Sequence, residues 1–172
     1  MDPFGETWNS QLLQPMAYDT LLSSLNNNVL TITLNRPDVF NALNEQMKKE
    51  LNEALREAEK DPQTRCLVIR GAGEKAFCSG QDLKEHSGTE TRRSLKDSLE
   101  KMYNPMIRRM RNMEKPIVGM INGVAAGAGM SIALACDLRI MADTARLIEV
   151  FIRIGLVPDS GSHWFLARLV GM

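Results

Sequence analysis

The stretch from Lys115 to Asp143, "KPIVGMINGVAAGAGMSIALACDLRIMAD", constrains the fold more than any other part of the chain. "KPIVGMING" is a short apolar run of the kind a strand buried in a parallel sheet carries. "VAAGAGMSIALACD" passes from a glycine-rich loop into a helix of small residues, and "LRIMAD" returns to strand. A strand, a crossover helix and another strand in one piece of chain call for a β-α-β arrangement of right-handed sense.

The same alternation runs through the rest of the sequence. "NVLTITLNRP" (28–37) is β-branched, alternates and stops at proline, which predicts a strand. In "NALNEQMKKELNEALREAEKDP", Leu43, Met47, Leu51, Leu55 and Ala58 recur at spacings of four, four, four and three, an amphipathic helix closed by Asp61-Pro62. "RCLVIRG" reads as a strand buried on both faces, and "GAGEKAFCSGQDLKE" as a glycine-rich loop. From Glu90 to Glu114 a helical stripe of Leu95, Leu99, Met102, Met106, Met110 and Met113 reads as core, with Asn104 as cap and Pro105 at the first position of a restarted helix. "RLIEV" predicts a further strand. "DSGSHWFLARLVG" predicts a last helix with Asp159 or Ser160 as cap and Gly171 as its stop. The fold class is α/β, a single domain over residues 16–172. Residues 1–15 lack periodicity and are expected to be a disordered or added arm.

Composition removes several functions. The 172 residues carry 21 basic and 21 acidic side chains, a formal net charge of zero that gives no footing for nucleic acid. No apolar run approaches the roughly 18 residues of a spanning helix, so no membrane partner is expected. Cys66, Cys78 and Cys136 are scattered, which argues against a disulfide framework or zinc site; Cys66 and Cys136 read as core thiols in a reducing, cytoplasmic setting. The glycine-rich loops do not make a nucleotide cradle: "GAGEKA" lacks the amphipathic helix that must follow, "GAGMSI" lacks the third small residue, and neither has the Gly-Lys-Ser/Thr of a phosphate loop. A serine nucleophile at Ser160 with His163 lacks the elbow motif and an orienting acid other than Asp159.

Four segments, "NRPDVFNALN", "AFCSGQDL", "INGVAAGAGMSIALACDLRI" and "IGLVPDSGSHWFLARLVG", occur in the order and spacing of the crotonase (enoyl-CoA hydratase/isomerase) superfamily. The resemblance covers Tyr18 to the C-terminus and is nearest to ring-epoxide and enoyl-CoA isomerase-like members. It implies a β-β-α spiral assembled as a homotrimer or hexamer. Family members continue past the equivalent of Met172 into helices that complete the trimer, so the resemblance also implies a chain cut before that region.

The resemblance further implies an acyl-CoA substrate, coenzyme A being its thioester carrier and no cofactor being permanently bound. Two backbone amides, Gln81 and Ala128, are expected to form an oxyanion hole for the thioester carbonyl. Gly80, Asp82, Leu83, Gly127, Gly129, Ser131 and Phe151 would line the substrate site. Gly127 and Gly129 would let the carbonyl approach the backbone. Hydratases of the family place two glutamates around a water, and those positions fall on Ser131 and Phe151 here. Asp159 falls where several isomerases carry an aspartate against the acyl chain. Read locally, Asp159 is a helix cap; read through the resemblance, it is the proton-transferring acid. The resulting expectation is an acyl-CoA isomerase. A hydratase with displaced acid/base groups and a non-catalytic acyl-CoA-binding protein of the same fold are the alternatives. Asp82 is expected to cap or orient its loop and Asp137 to satisfy backbone groups at a strand start; Arg108, Arg109 and Arg111 could meet coenzyme A phosphates, but a charged helix face of this kind is usually solvated. Glu149 is a further acid that strand alternation could turn toward the site or away from it.

Overall fold

The computed structural model describes residues 18–86 and 96–171; the arm expected over residues 1–15 and the start of the helix expected from Glu90, with Leu95, lie outside them. A five-stranded sheet has the order β1-β2-β3-β5-β7. Strands β1 (Leu21–Asn26) and β2 (Val29–Leu34) form an antiparallel hairpin through Asn27 and Asn28, both at positive φ, which asparagine tolerates. From β2 onward every pairing is parallel: β2 with β3 (Cys66–Gly71), β3 with β5 (Ile117–Ile121) and β5 with β7 (Leu138–Met141).

Three short strands make a second, parallel sheet: β4 (Ala76–Cys78), β6 (Val124–Ala126) and β8 (Arg146–Ile148), in the order β4-β6-β8. The sequence reading had β8 as strand but gave β4 and β6 to glycine-rich loops. Three residues are too few to display a period, and the flanking glycines hide them. β3 also differs from expectation. Leu67 and Ile69 are buried while Cys66, Val68 and Arg70 are half-exposed, so β3 buries one face fully rather than both. Cys66 is accordingly not a core thiol; Cys78 and Cys136 are, and burial pushes both up to about 12.

The helix α1 (Glu45–Lys60) begins where the Asn44 side chain accepts the Met47 N–H at 2.9 Å. Its expected stripe, Met47, Leu51, Leu55 and Ala58, is buried together with Ala54. Each large apolar side chain so buried contributes about 1.5–3 kcal/mol. Glu50 on the same helix accepts the Asp19 and Thr20 amides, which ties the entry of β1 to α1.

Asn104 does not cap a restarted helix. A π-helical turn, Leu99–Tyr103, runs without a break into α2 (Asn104–Asn112), and Asn104 is itself helical, its N–H reaching back to Leu99 O. Pro105 has no N–H to give to the preceding turn, and the wider π turn absorbs that missing bond. Met106, Met110 and Met113 enter the core as expected. Helix α3 (Ala128–Ala135) is entirely buried, and α4 (Ser162–Val170) closes the described chain with Gly171 at positive φ. α1, α2 and α3 and the five-stranded sheet share one core.

Asn41 is the polar joint of this architecture. It is fully buried, accepts the Arg36 N–H at 3.0 Å, and donates to the Ala72 and Ala76 carbonyls at 3.0 and 2.9 Å. It thereby fastens the loop before α1 to both ends of the β3–β4 connection. Asn41→Ala removes these three hydrogen bonds, with only Ala76 O keeping a second donor in Asn122 Nδ2, and is expected to lower unfolding stability by about 2–4 kcal/mol in urea titration. A loss under half that range would show that the joint is not needed.

Candidate active site

Strands β4 and β6 lie parallel and end side by side, with Cys78 opposite Ala125. The loop after β4 turns on Gly80 at φ 99°, a conformation glycine favours. A Cβ placed on Gly80 would lie 2.7 Å from the Ala126 carbonyl and 3.4 Å from the Ala128 nitrogen. The residue before Gln81 thus rests directly against the first residue of α3. Gly129 approaches closer still: a Cβ there would lie 2.2 Å from the Cys78 carbonyl oxygen.

The Gln81 segment is clamped from the other side by Leu43. Leu43 N–H donates to Gly80 O at 2.8 Å, and Asp82 N–H donates to Leu43 O at 3.1 Å. Ala128 opens α3 behind Gly127, whose N–H donates to Ile148 O at 3.1 Å. The first amides of a helix have no acceptor within it, and the helix dipole makes that end positive. The two segments expected to supply an oxyanion hole are therefore neighbours across a glycine contact.

Side chains hold this arrangement. Asp82 accepts the Lys84 N–H at 3.1 Å and pairs with Arg36 at 2.8 Å, so it caps the short turn Leu83–His86 and orients the loop, as expected. Burial opposes its charge, but Arg36 and the Lys84 amide outweigh burial and hold its carboxyl below the usual range. Leu83 is 70% exposed. The Gln81 side chain turns to Tyr103, whose hydroxyl donates at 2.6 Å, and to Lys48 Nζ at 3.2 Å. Lys48 is only 2% exposed, donates to Ser98 Oγ at 2.8 Å, and lies over the Tyr103 ring. Sequence reasoning missed Lys48 and Tyr103. Lys48 sits beside Met47 in a helix whose lysines read as solvated, and no periodicity marks a buried amine.

Asp159 is not a side-chain cap. α4 starts at Ser162 behind Gly161 (φ 77°), and the Asp159 carboxylate accepts from Ser160 Oγ at 2.9 Å. Its backbone carbonyl accepts Ser162 N–H at 2.9 Å and lies 3.4 Å from Ser131 Oγ. Ser131, fully buried on α3, has the Gly127 and Asp159 carbonyls at 3.3 and 3.4 Å from its Oγ, so its hydroxyl lies between the helix that Ala128 opens and the Asp159 loop. Phe151 is buried on the turn Phe151–Ile154. Burial, reinforced by the charge of Glu149 and opposed by the Ser160 hydrogen bond, raises the Asp159 carboxyl above its ordinary range. Glu149 accepts from Ser162 Oγ.

The enoyl-CoA hydratase/isomerase family pattern matches residues 24–172. The chain belongs to that family. It is 42% identical over 153 residues to the 1,2-epoxyphenylacetyl-CoA isomerase of Escherichia coli, covering 88% of this chain and 58% of that protein. It is 37% identical to the short-chain-enoyl-CoA hydratase of Clostridium acetobutylicum, covering 84% of this chain and 54% of the other. The crystal structure of an enoyl-CoA hydratase from Bacillus anthracis superposes with a TM-score of 0.84 at 32% identity, over 89% of this chain and 59% of that one. The fold is therefore the crotonase fold, and the chain spans a little over half the length of these relatives.

The other expected residues fall as follows. Asp137 accepts the Ile117 N–H at 2.9 Å, at the start of β5. Arg109 pairs with Glu59 and Arg111 with Asp137, while Arg108 is exposed. His163 Nδ1 lies 3.1 Å from Pro158 O on the surface. Among the described residues no group of His, Cys, Asp and Glu could hold a metal ion, and no helix is long and apolar enough to cross a membrane.

The glycine contact has a direct test. Gly129→Ala pushes a methyl group into the Cys78 backbone and is expected to cost about 1–3 kcal/mol of unfolding stability. An unchanged urea midpoint would contradict the close approach of α3 to β4.

Proposed function

We propose that this chain carries the catalytic half of an acyl-CoA isomerase in which Asp159 moves a proton along the acyl chain. The thioester carbonyl accepts hydrogen bonds from the Gln81 and Ala128 amides. Losing one such donor typically costs about 2.7–4 kcal/mol of barrier. With the carbonyl so held, the adjacent carbon becomes acidic. Its C–H bond breaks, the proton passes to the Asp159 carboxylate, and the electron pair moves to the carbonyl oxygen. Asp159 then returns the proton to a carbon further along the conjugated chain, and the thioester carbonyl reforms. A ring-epoxide thioester would meet the same aspartate during ring opening.

The observation that carries this reading is the position of Asp159: half-buried, on the loop that meets Ser131 of the helix opened by Ala128. A carboxyl with a raised pKa is a stronger base when ionised and stays protonated closer to neutral pH, so one group can take the proton and hold it until it is returned. Isomerisation is favoured over hydration because serine and phenylalanine stand at Ser131 and Phe151, where family hydratases carry glutamates. Neither side chain can activate water.

Asp159→Asn is expected to lower kcat for double-bond migration by roughly 10²–10⁴-fold. It should also raise thermal stability at neutral pH. The folded state binds the Asp159 proton more tightly than the unfolded state does, so the ionised carboxylate weakens folding. The gain should be full above the raised pKa and vanish below the ordinary aspartate range. Retained isomerase activity in Asp159→Asn would refute the assignment. Water addition to crotonyl-CoA would favour a hydratase, and acyl-CoA binding without turnover would favour a binding protein of this fold.

A further inference from the structure

Glu149 and Asp159 reach the same place from different elements. Glu149 follows β8, and Asp159 lies in the loop before α4. Both are fastened to one fully buried residue, Ser162: its N–H donates to the Asp159 carbonyl at 2.9 Å, and its Oγ–H donates to Glu149 Oε1. The other carboxylate oxygen, Glu149 Oε2, is buried with no hydrogen-bond partner. A buried carboxylate oxygen left without a donor is costly, which makes it a group to explain rather than a solvated side chain.

Among the described residues, burial first and then the charge of Glu149 raise the Asp159 carboxyl. Helix α3, packed beneath the loop, carries no charged residue and offers Ser131. The loop itself offers the Ser160 hydroxyl, and from the first turn of α4 the exposed His163 ring is turned to Pro158 O. The Gly127 turn is covered by Val150, the residue after Glu149, whose Cγ2 would lie 3.1 Å from a Cβ on Gly127. Glu149 therefore lies one residue from the contact that shapes the start of α3.

We propose that Glu149 is a positioning residue of the Asp159 site: Ser162, bonded to both segments, latches the Glu149 carboxylate against the loop that carries Asp159. This rests on reading Asp159 as the proton-transferring acid. A like charge disfavours a second ionisation nearby, and the effect is large where water is excluded. Glu149 stands two residues before Phe151, the position at which family hydratases carry a glutamate. It is a carboxylate placed to tune Asp159 rather than to hold a water.

Asp159 can be titrated directly, without turnover, in protein carrying isotope-labelled aspartate carboxyls. Its signal is assigned by its loss in Asp159→Asn. Glu149→Gln keeps an acceptor for Ser162 and removes only the charge. The Asp159 midpoint is expected to fall in that variant. An unmoved midpoint in folded Glu149→Gln overturns the proposal, since a merely structural glutamate would leave the titration alone. If Glu149→Gln does not fold, Ser162→Ala carries the test. There the released Glu149 turns to water and the Asp159 midpoint falls, and an unmoved midpoint again overturns the proposal. Isomerase activity surviving in Asp159→Asn would sink the mechanism above while leaving this coupling to be read on its own.

Discussion

The site depends on backbone packed against backbone at two glycines. Gly129 lets the start of α3 settle on the Cys78 carbonyl, and Gly80 lets the loop after β4 lie against Ala126 and Ala128. A side chain at either position would open the gap between Gln81 and Ala128. Two amides from separate strand–loop units can converge on one oxygen only if that gap stays closed. The three-residue strands β4 and β6 serve this end: they are too short to build a sheet of consequence, but they fix where the two loops end.

The supports around this contact are polar and mostly buried. Asn41 fastens the loop before α1 to the β3–β4 connection, Leu43 clamps Gly80 and Asp82, and Arg36 with Asp82 closes the outer side. Lys48 and Tyr103 fix the Gln81 side chain through its amide oxygen. Buried polar groups of this kind are stable only when satisfied, so they rigidify the site more than they strengthen the fold.

Some of this was legible in the sequence. The spacing of Leu43, Met47, Leu51, Leu55 and Ala58 announced α1, and the apolar runs announced the parallel strands. The family resemblance brought Gln81, Ala128 and Asp159 together, which periodicity could not. The missed features share a cause. β1 keeps only Leu21 in the core and exposes Leu22 and Leu25, so its alternation carries little signal. β4 and β6 are shorter than a period. Lys48 is a buried charge among solvated ones. The first residue of α4 hinges on Gly161 taking a left-handed turn, which moved the helix start past Asp159 and removed the cap reading. Glu149 depended on which way a strand end turned, which no periodicity sets; in the structure it accepts from Ser162 Oγ.

The central claim is that the Gln81 and Ala128 amides together polarise a thioester carbonyl beside Asp159. Isotope-edited infrared spectroscopy of a bound acyl-CoA labelled at that carbonyl reads this polarisation directly. Two charge-stabilising hydrogen bonds weaken the C=O bond, so the band should move to clearly lower frequency on binding and stay there in Asp159→Asn. A bound thioester whose carbonyl absorbs where it does in water would contradict the account.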